Sequence, residues 1–152
     1  MGDNTKPWTE TDNWCKTVVG ETIKSKFLWT IEGFKRREEK TGEALQSNTF
    51  KICDPEGKVT SWRLLLYPRG EITDSENHVS LYLNLCDDFN LKIDLEIFLL
   101  DVSSSRQRVF NGKSKEFSKE IRTGWGSGKF LSRDDLENED WLPDDKLTVG
   151  CE

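Results

Sequence analysis

Few residues in this 152-residue chain have the type and spacing to do covalent chemistry. The single histidine, His78, sits in Ser75-Glu76-Asn77-His78-Val79 beside no nucleophile, yet any nucleophile–His–acid arrangement depends wholly on it. Paired carboxylates occur at Asp87-Asp88, Asp134-Asp135 and Asp144-Asp145. Glycosidase-type acid–base work needs two carboxyls across a cleft, whereas sequence neighbours on a turn point apart. Their simpler tasks are helix capping for Asp134 and Asp135 and turn formation for Asp144 and Asp145. Gly124-Trp125-Gly126-Ser127-Gly128 lacks the following Lys and the strand–loop–helix setting of a phosphate loop. Cys15, Cys53, Cys86 and Cys151 form no CxxC pair, which argues against a zinc site. No catalytic residue, metal or cofactor is expected.

The glycine-rich segment is nevertheless the oddest in the chain. A large aromatic stands among three glycines, and glycine within a strand marks a bulge or the close approach of another backbone. One possibility is that Trp125 is core and the glycines shape a bulged edge strand, as the average burial of Trp favours. The other is that Trp125 is displayed to a ligand.

The elements that would position these residues are strands. Phe27, Trp29 and Ile31 alternate with Leu28 and Thr30. Val79, Leu81, Leu83 and Leu85 alternate with Ser80, Tyr82 and Asn84, so Tyr82 is expected on the face away from the core. Leu91, Ile93, Leu95, Ile97 and Leu99 form a third series, whose partners turn apolar at Phe98 and Leu100, so its far end should be covered on both faces. Further strands are predicted at Thr17–Ile23, Ser47–Cys53, Ser61–Tyr67, Arg106–Phe110, Ser114–Ile121 and Lys146–Cys151. Asn111-Gly112 has the composition of a two-residue hairpin turn. One short helix is predicted near residues 132–138, with Ser132 as cap and Asp135 where a capping-box acid belongs. Many short strands, regular turns and one short helix indicate an all-β antiparallel sandwich.

Composition sets the outer limits. A chain of this length buries roughly 70% of its unfolded surface without a metal or disulfide. Six Trp and eight Phe supply bulky core material. The formal charge of −6 disfavours nucleic acid or an anionic membrane as partner, since both require a basic stripe. No apolar run reaches the length of a membrane-spanning helix. Residues 1–13 read as a flexible tail and 14–152 as one domain. The polar start lacks the apolar stretch of a secretory signal. The expected location is therefore intracellular, nucleus or cytoplasm, with the four thiols reduced, although two long-range disulfides are arithmetically open.

Several separate segments carry a family resemblance. Trp125-Gly126, Lys129-Phe130-Leu131-Ser132-Arg133-Asp134-Asp135-Leu136 and Trp141-Leu142-Pro143-Asp144-Asp145-Lys146-Leu147-Thr148-Val149-Gly150-Cys151-Glu152 resemble the C-terminal signature of MATH (meprin and TRAF-C homology) domains. Phe27-Leu28-Trp29-Thr30-Ile31-Glu32-Gly33-Phe34, Trp62-Arg63-Leu64-Leu65-Leu66-Tyr67-Pro68-Arg69-Gly70 and Ser80-Leu81-Tyr82-Leu83 fit the same pattern. The chain is most similar to the MATH domains of the speckle-type POZ (MATH-BTB) family.

This resemblance implies an eight-stranded TRAF-like β-sandwich that is not an enzyme and binds short peptide segments of substrate proteins. In the speckle-type proteins it serves a cullin-3 ubiquitin ligase adaptor, the cullin being held by a BTB domain that is absent from this chain. Carried over by position, the peptide-binding residues would be Tyr82, Leu95, Phe117, Thr123, Gly124, Trp125, Gly126, Ser127 and Gly128, with an edge strand near Thr123–Gly128. Phe117 replaces a Tyr, Leu95 and Ser127 stand where the speckle-type groove has Phe, and Leu65, Gly124 and Gly128 stand where it has Arg, Asp and Lys. A retained groove with an altered peptide preference is therefore expected. Two other functions stay open. A TRAF-like signalling scaffold would need a heptad coiled coil, which residues 1–26 lack; a glycan-binding sandwich would need bridged cysteines outside the cell. The isolated domain is expected to be a monomer.

Overall fold

Alternating apolar side chains commit most of this chain to antiparallel sheet. The computed structural model describes residues 16–17, 23–54, 56–87, 90–118 and 124–152, with side chains from Lys24 onward. Strands β1 (Lys16–Thr17) and β2 (Ile23–Lys24) form a small pair. The larger strands follow in order: β3 (Phe27–Glu32), β4 (Leu45–Gln46), β5 (Phe50–Cys53), β6 (Val59–Tyr67), β7 (His78–Leu85), β8 (Leu91–Leu100), β9 (Arg106–Phe117), β10 (Trp125–Ser132) and β11 (Lys146–Cys151). One sheet runs β10-β7-β6, with β4 and β5 sharing the far side of β6; the other runs β3-β11-β8-β9. Every pairing is antiparallel.

The two main sheets thus hold nine strands, where eight were expected. The predicted strand Ser47–Cys53 is broken at its start. Ser47 donates its N–H to the Leu64 carbonyl, and its hydroxyl accepts the Leu64 N–H at 2.9 Å. A side chain there takes the place of a ladder partner, so β4 and β5 pair with β6 separately. The predicted strand Thr17–Ile23 is also corrected. Thr17 lies antiparallel to Ile23, so its two ends are side by side, and residues 18–22 are outside the described residues.

Asn111-Gly112 is not a hairpin turn. β9 runs through it, with Asn111 opposite Glu96 and Gly112 opposite Leu95. The bends fall instead at two bulges, where Arg108 (φ 51°) and Ser114 (φ 50°) take left-handed backbone. The Ser114 N–H donates to Asp94 Oδ1 at 2.8 Å, which fixes the second bulge. The expected helix near 132–138 is a 3₁₀ turn, Arg133–Glu137, and its capping box is formed by Ser132 and Asp135 as predicted.

Between the sheets, Trp62, Leu64 and Leu66 of β6 and Val79, Leu81 and Leu83 of β7 face Leu95, Ile97 and Leu99 of β8 and Leu147 and Val149 of β11. The end of β8 is covered on both faces, as its composition demands. Phe98, on the outer side, lies under the Arg106 guanidinium at 4.1 Å from the ring centroid, while Glu96 and Glu152 hold that guanidinium in place. Gly150, opposite Phe98, leaves the ring its space, since a Cβ there would come within 2.9 Å of it.

Phe117 closes this core at the end of β9. It is 1% exposed and meets Trp62 edge-to-face at 5.1 Å between centroids. Leu95, expected like Phe117 in a ligand groove, is 4% exposed. Both sit on strand positions that face the opposite sheet. Phe117→Ala should cost about 3–5 kcal/mol of stability through lost burial and a cavity, measured as a lower urea midpoint.

Candidate functional site

Strand β6 is apolar on both faces at its end, because Leu64-Leu65-Leu66-Tyr67 breaks the alternation. Leu64 and Leu66 enter the core, so Leu65 and Tyr67 lie on the outer side of the sheet. Register fixes their neighbours. Arg63 is opposite Asn84, Leu65 opposite Tyr82, and Tyr67 opposite Ser80. Gln46 of β4 flanks Leu65 on one side, and on β10 Gly126 lies opposite Tyr82. The outer face is a small grid with a polar end at Arg63 and Asn84, an apolar and aromatic centre, and Ser80 at the other end.

Its β10 column carries no side chains. A Cβ on Gly126 would stand 2.0 Å from the Leu81 carbonyl oxygen, so any other residue forces the two backbones apart. At Gly124 (φ 85°) the same clash, with Leu83 O, is at 1.8 Å. A Cβ on Gly128 would come within 3.2 Å of the Tyr82 hydroxyl. The glycines thus serve a close approach of β10 to β7, and they leave a bare rail beside Tyr82. β10 ends its sheet: among the described residues no strand pairs with its outer edge.

Glu71 anchors the aromatic centre. Its backbone N–H donates to Ser80 Oγ at 3.2 Å, and Ser80 Oγ donates in turn to the Gly128 carbonyl at 2.6 Å. The Tyr82 hydroxyl donates to Glu71 Oε1 at 2.8 Å, and the Tyr82 ring meets Tyr67 edge-to-face at 6.0 Å. Burial raises the pKa of Tyr82, and the hydrogen bond to Glu71 raises it further, since the phenol must stay protonated to donate. Burial, followed by the Glu71 charge, also raises that of Tyr67.

A family model described as MATH domain matches residues 26–152. The chain belongs to the MATH domain family. A chain of Notothenia coriiceps TRAF5 shares the fold with a TM-score of 0.60, covering 84% of this chain and 72% of that one at 20% sequence identity. MATH and TRAF domains are protein–protein interaction folds.

Within this MATH domain the residues expected to form one groove divide between surfaces. Tyr82, Gly124, Gly126 and Gly128 share the outer face. Trp125 and Ser127 are opposite Leu83 and Leu81, hence on the core side of β10. There Trp125 is half-buried at the rim of the sandwich. Its indole N–H donates to the Glu116 carbonyl at 2.6 Å, and Lys115 Nζ stands 4.6 Å from its ring centroid. Both possibilities weighed for this residue meet here: it flanks the core and keeps an accessible edge. Thr123 is outside the described residues. Tyr67 and Glu71 were missed, while Leu65 was named only as a groove position that has lost an Arg. Only the unbroken Leu64-Leu65-Leu66-Tyr67 run signalled that this sheet face is more than a solvated surface.

Hollows also lie away from this face. A cleft of about 610 Å³ opens between the sheets, walled by Phe50, Ile52, Trp62, Leu91, Ile93 and Leu95 and rimmed by charges including Lys24, Asp94 and Lys113. A notch of about 170 Å³ lies between His78, Arg108, Lys129 and Asp135, where His78 Nδ1 is buried and has no hydrogen-bond partner among the described residues. Neither opens on the Tyr82 face. Among the described residues no group of His, Cys, Asp and Glu is placed to hold a metal.

Tyr67 and Tyr82 are the only tyrosines of the chain, so their ionisation is spectroscopically isolated. Both pKa values are raised on folding, so the stabilisation linked to them is complete below the unfolded value of 10.0 and is lost as pH climbs through the folded values. Absorbance at 295 nm should show much less tyrosinate at pH 10 in the folded protein than in urea, with stability falling above that pH.

Proposed function

We propose that this domain holds a short extended segment of a partner protein along β10, as the substrate-recognition module of a cullin-3 ubiquitin ligase adaptor of the speckle-type kind. The observation that carries this proposal is the edge of β10, which no strand of the described residues pairs, with its glycine rail beside Tyr82. An added strand would gain main-chain hydrogen bonds from the open edge, the usual source of affinity when a peptide extends a sheet. Adjacent strands lie about 4.8 Å apart, and side chains alternate between the two faces. With no side chains on the rail, outward residues of the segment can lean across it to the half-buried Tyr82. Inward residues would meet Trp125 and Ser127 at the rim. The two aromatic residues thereby act on alternate side chains of one ligand, although they lie on opposite faces of β10.

Nothing in this function requires catalysis. The cullin would be engaged by a BTB domain outside this chain, in the nucleus or cytoplasm. Leu65, Gly124 and Gly128 replace the charged side chains of the speckle-type groove, so the peptide preference differs.

A peptide-display screen against residues 1–152 tests this. Selected peptides should lose about tenfold or more in affinity with Tyr82→Ala and with Trp125→Ala, as anchor residues do. A Ser/Thr-rich speckle-type peptide should bind more weakly than low-micromolar. Unchanged affinity in both variants would move the binding surface elsewhere, and low-micromolar binding of the speckle-type peptide would contradict the altered preference.

A further inference from the structure

Some of the carboxylates on this surface are matched by cations. Glu39 pairs with Arg37, Asp135 with Arg108, Asp145 with Arg36, Asp74 with Lys129, and Glu96 and Glu152 with Arg106. Glu71 stands apart. Among the described residues it has no ion-pair partner, and the side-chain contact it makes is the hydrogen bond accepted from Tyr82 at 2.8 Å. A single phenol donor leaves most of a carboxylate's acceptor capacity open, because an ionised carboxyl has about four lone-pair sites. This charge also lies beside the edge-to-face pair of Tyr67 and Tyr82, whose rings can receive a cation on their faces.

The position of Glu71 is built. Ser80 holds its backbone N–H and is itself tied to the Gly128 carbonyl on β10. Any segment lying on the glycine rail would therefore pass close to a fixed carboxylate. Lys129 stands 3.7 Å from Asp74, and Arg69 donates to the carbonyls of Arg37 and Glu39. Arg63, at the far end of the face, is held by Asn84 and Gln46. Four residues along a strand separate it from Tyr67, about 13 Å at strand rise. The face is thus acidic at the Glu71 end and basic at the Arg63 end.

We propose that Glu71 selects a lysine or arginine in the docked segment, received between its carboxylate and the ring of Tyr82. This deepens the preceding proposal and rests on β10 being the docking edge. The alternative task for Glu71 is to orient Tyr82 alone, which needs an acceptor but no charge.

Glu71→Gln separates the two, since the amide oxygen still accepts from Tyr82 while the charge is gone. The probes are the highest-affinity Lys- or Arg-containing peptide from a display screen and its counterparts with Gln or Glu at that position. In the wild-type chain the basic peptide should bind about tenfold more tightly than its Gln counterpart, a charge-assisted contact that weakens with added salt. Glu71→Gln should erase most of the difference between the basic peptide and its Gln counterpart, and Glu71→Lys should favour the Glu peptide. If Glu71→Gln leaves the basic peptide unaffected while Tyr82→Ala abolishes binding, the proposal fails and the docking edge stands. If Tyr82→Ala and Trp125→Ala both leave binding intact, the docking edge fails and the proposal with it. A thermal melt of each variant shows that the fold is kept.

Discussion

Between β10 and β7 the backbones come so close that one position admits no side chain. At Gly126 a Cβ would lie 2.0 Å from the Leu81 carbonyl oxygen, inside any tolerable contact. Two consequences follow from this packing limit. β10 can draw tight against the sheet, so its core-side residues Phe130 and Leu131 reach the interior at 3% and 1% exposure. Its outward positions are left bare, and Tyr82 stands beside an empty rail instead of a row of side chains. A residue larger than glycine there would damage both the fold and the surface it creates.

The rest of the sandwich keeps that edge in place. Trp125 bridges from β10 to the Glu116 carbonyl on β9, so the last strand of one sheet is tied to the last strand of the other. At the opposite end Ser132 and Asp135 cap the turn that follows β10. The strand is therefore fixed at both ends, while among the described residues its outer edge has no strand partner, the condition for receiving another strand. Natural sheets usually blunt such an edge with charge or bulges; here the bulge lies between Ser127 and Leu131, leaving Trp125–Ser127 regularly paired.

Much of this was legible in the sequence because one buried face imposes a period of two. Val79–Leu85 specified its own orientation and with it the outward placement of Tyr82. The Ser132–Asp135 box was equally local. Errors arose where a partner strand overrules a local signal. Asn111-Gly112 has turn composition, but pairing with Glu96 and Leu95 carries the strand through it, and Gly112 serves to fit against Leu95. Glu71 gave no local signal. It follows a turn and reaches Tyr82 only because Ser80, nine residues on, holds its backbone.

The central claim is that partner segments dock on the outer edge of β10 beside Tyr82. Its most direct test is solution NMR of the 152-residue chain with a selected peptide. The predicted result is cross-strand NOEs between the peptide and Trp125–Ser127, together with shifts of the Tyr82 ring. NOEs confined to the cleft walled by Phe50, Trp62 and Ile93, with β10 unperturbed, would contradict the account.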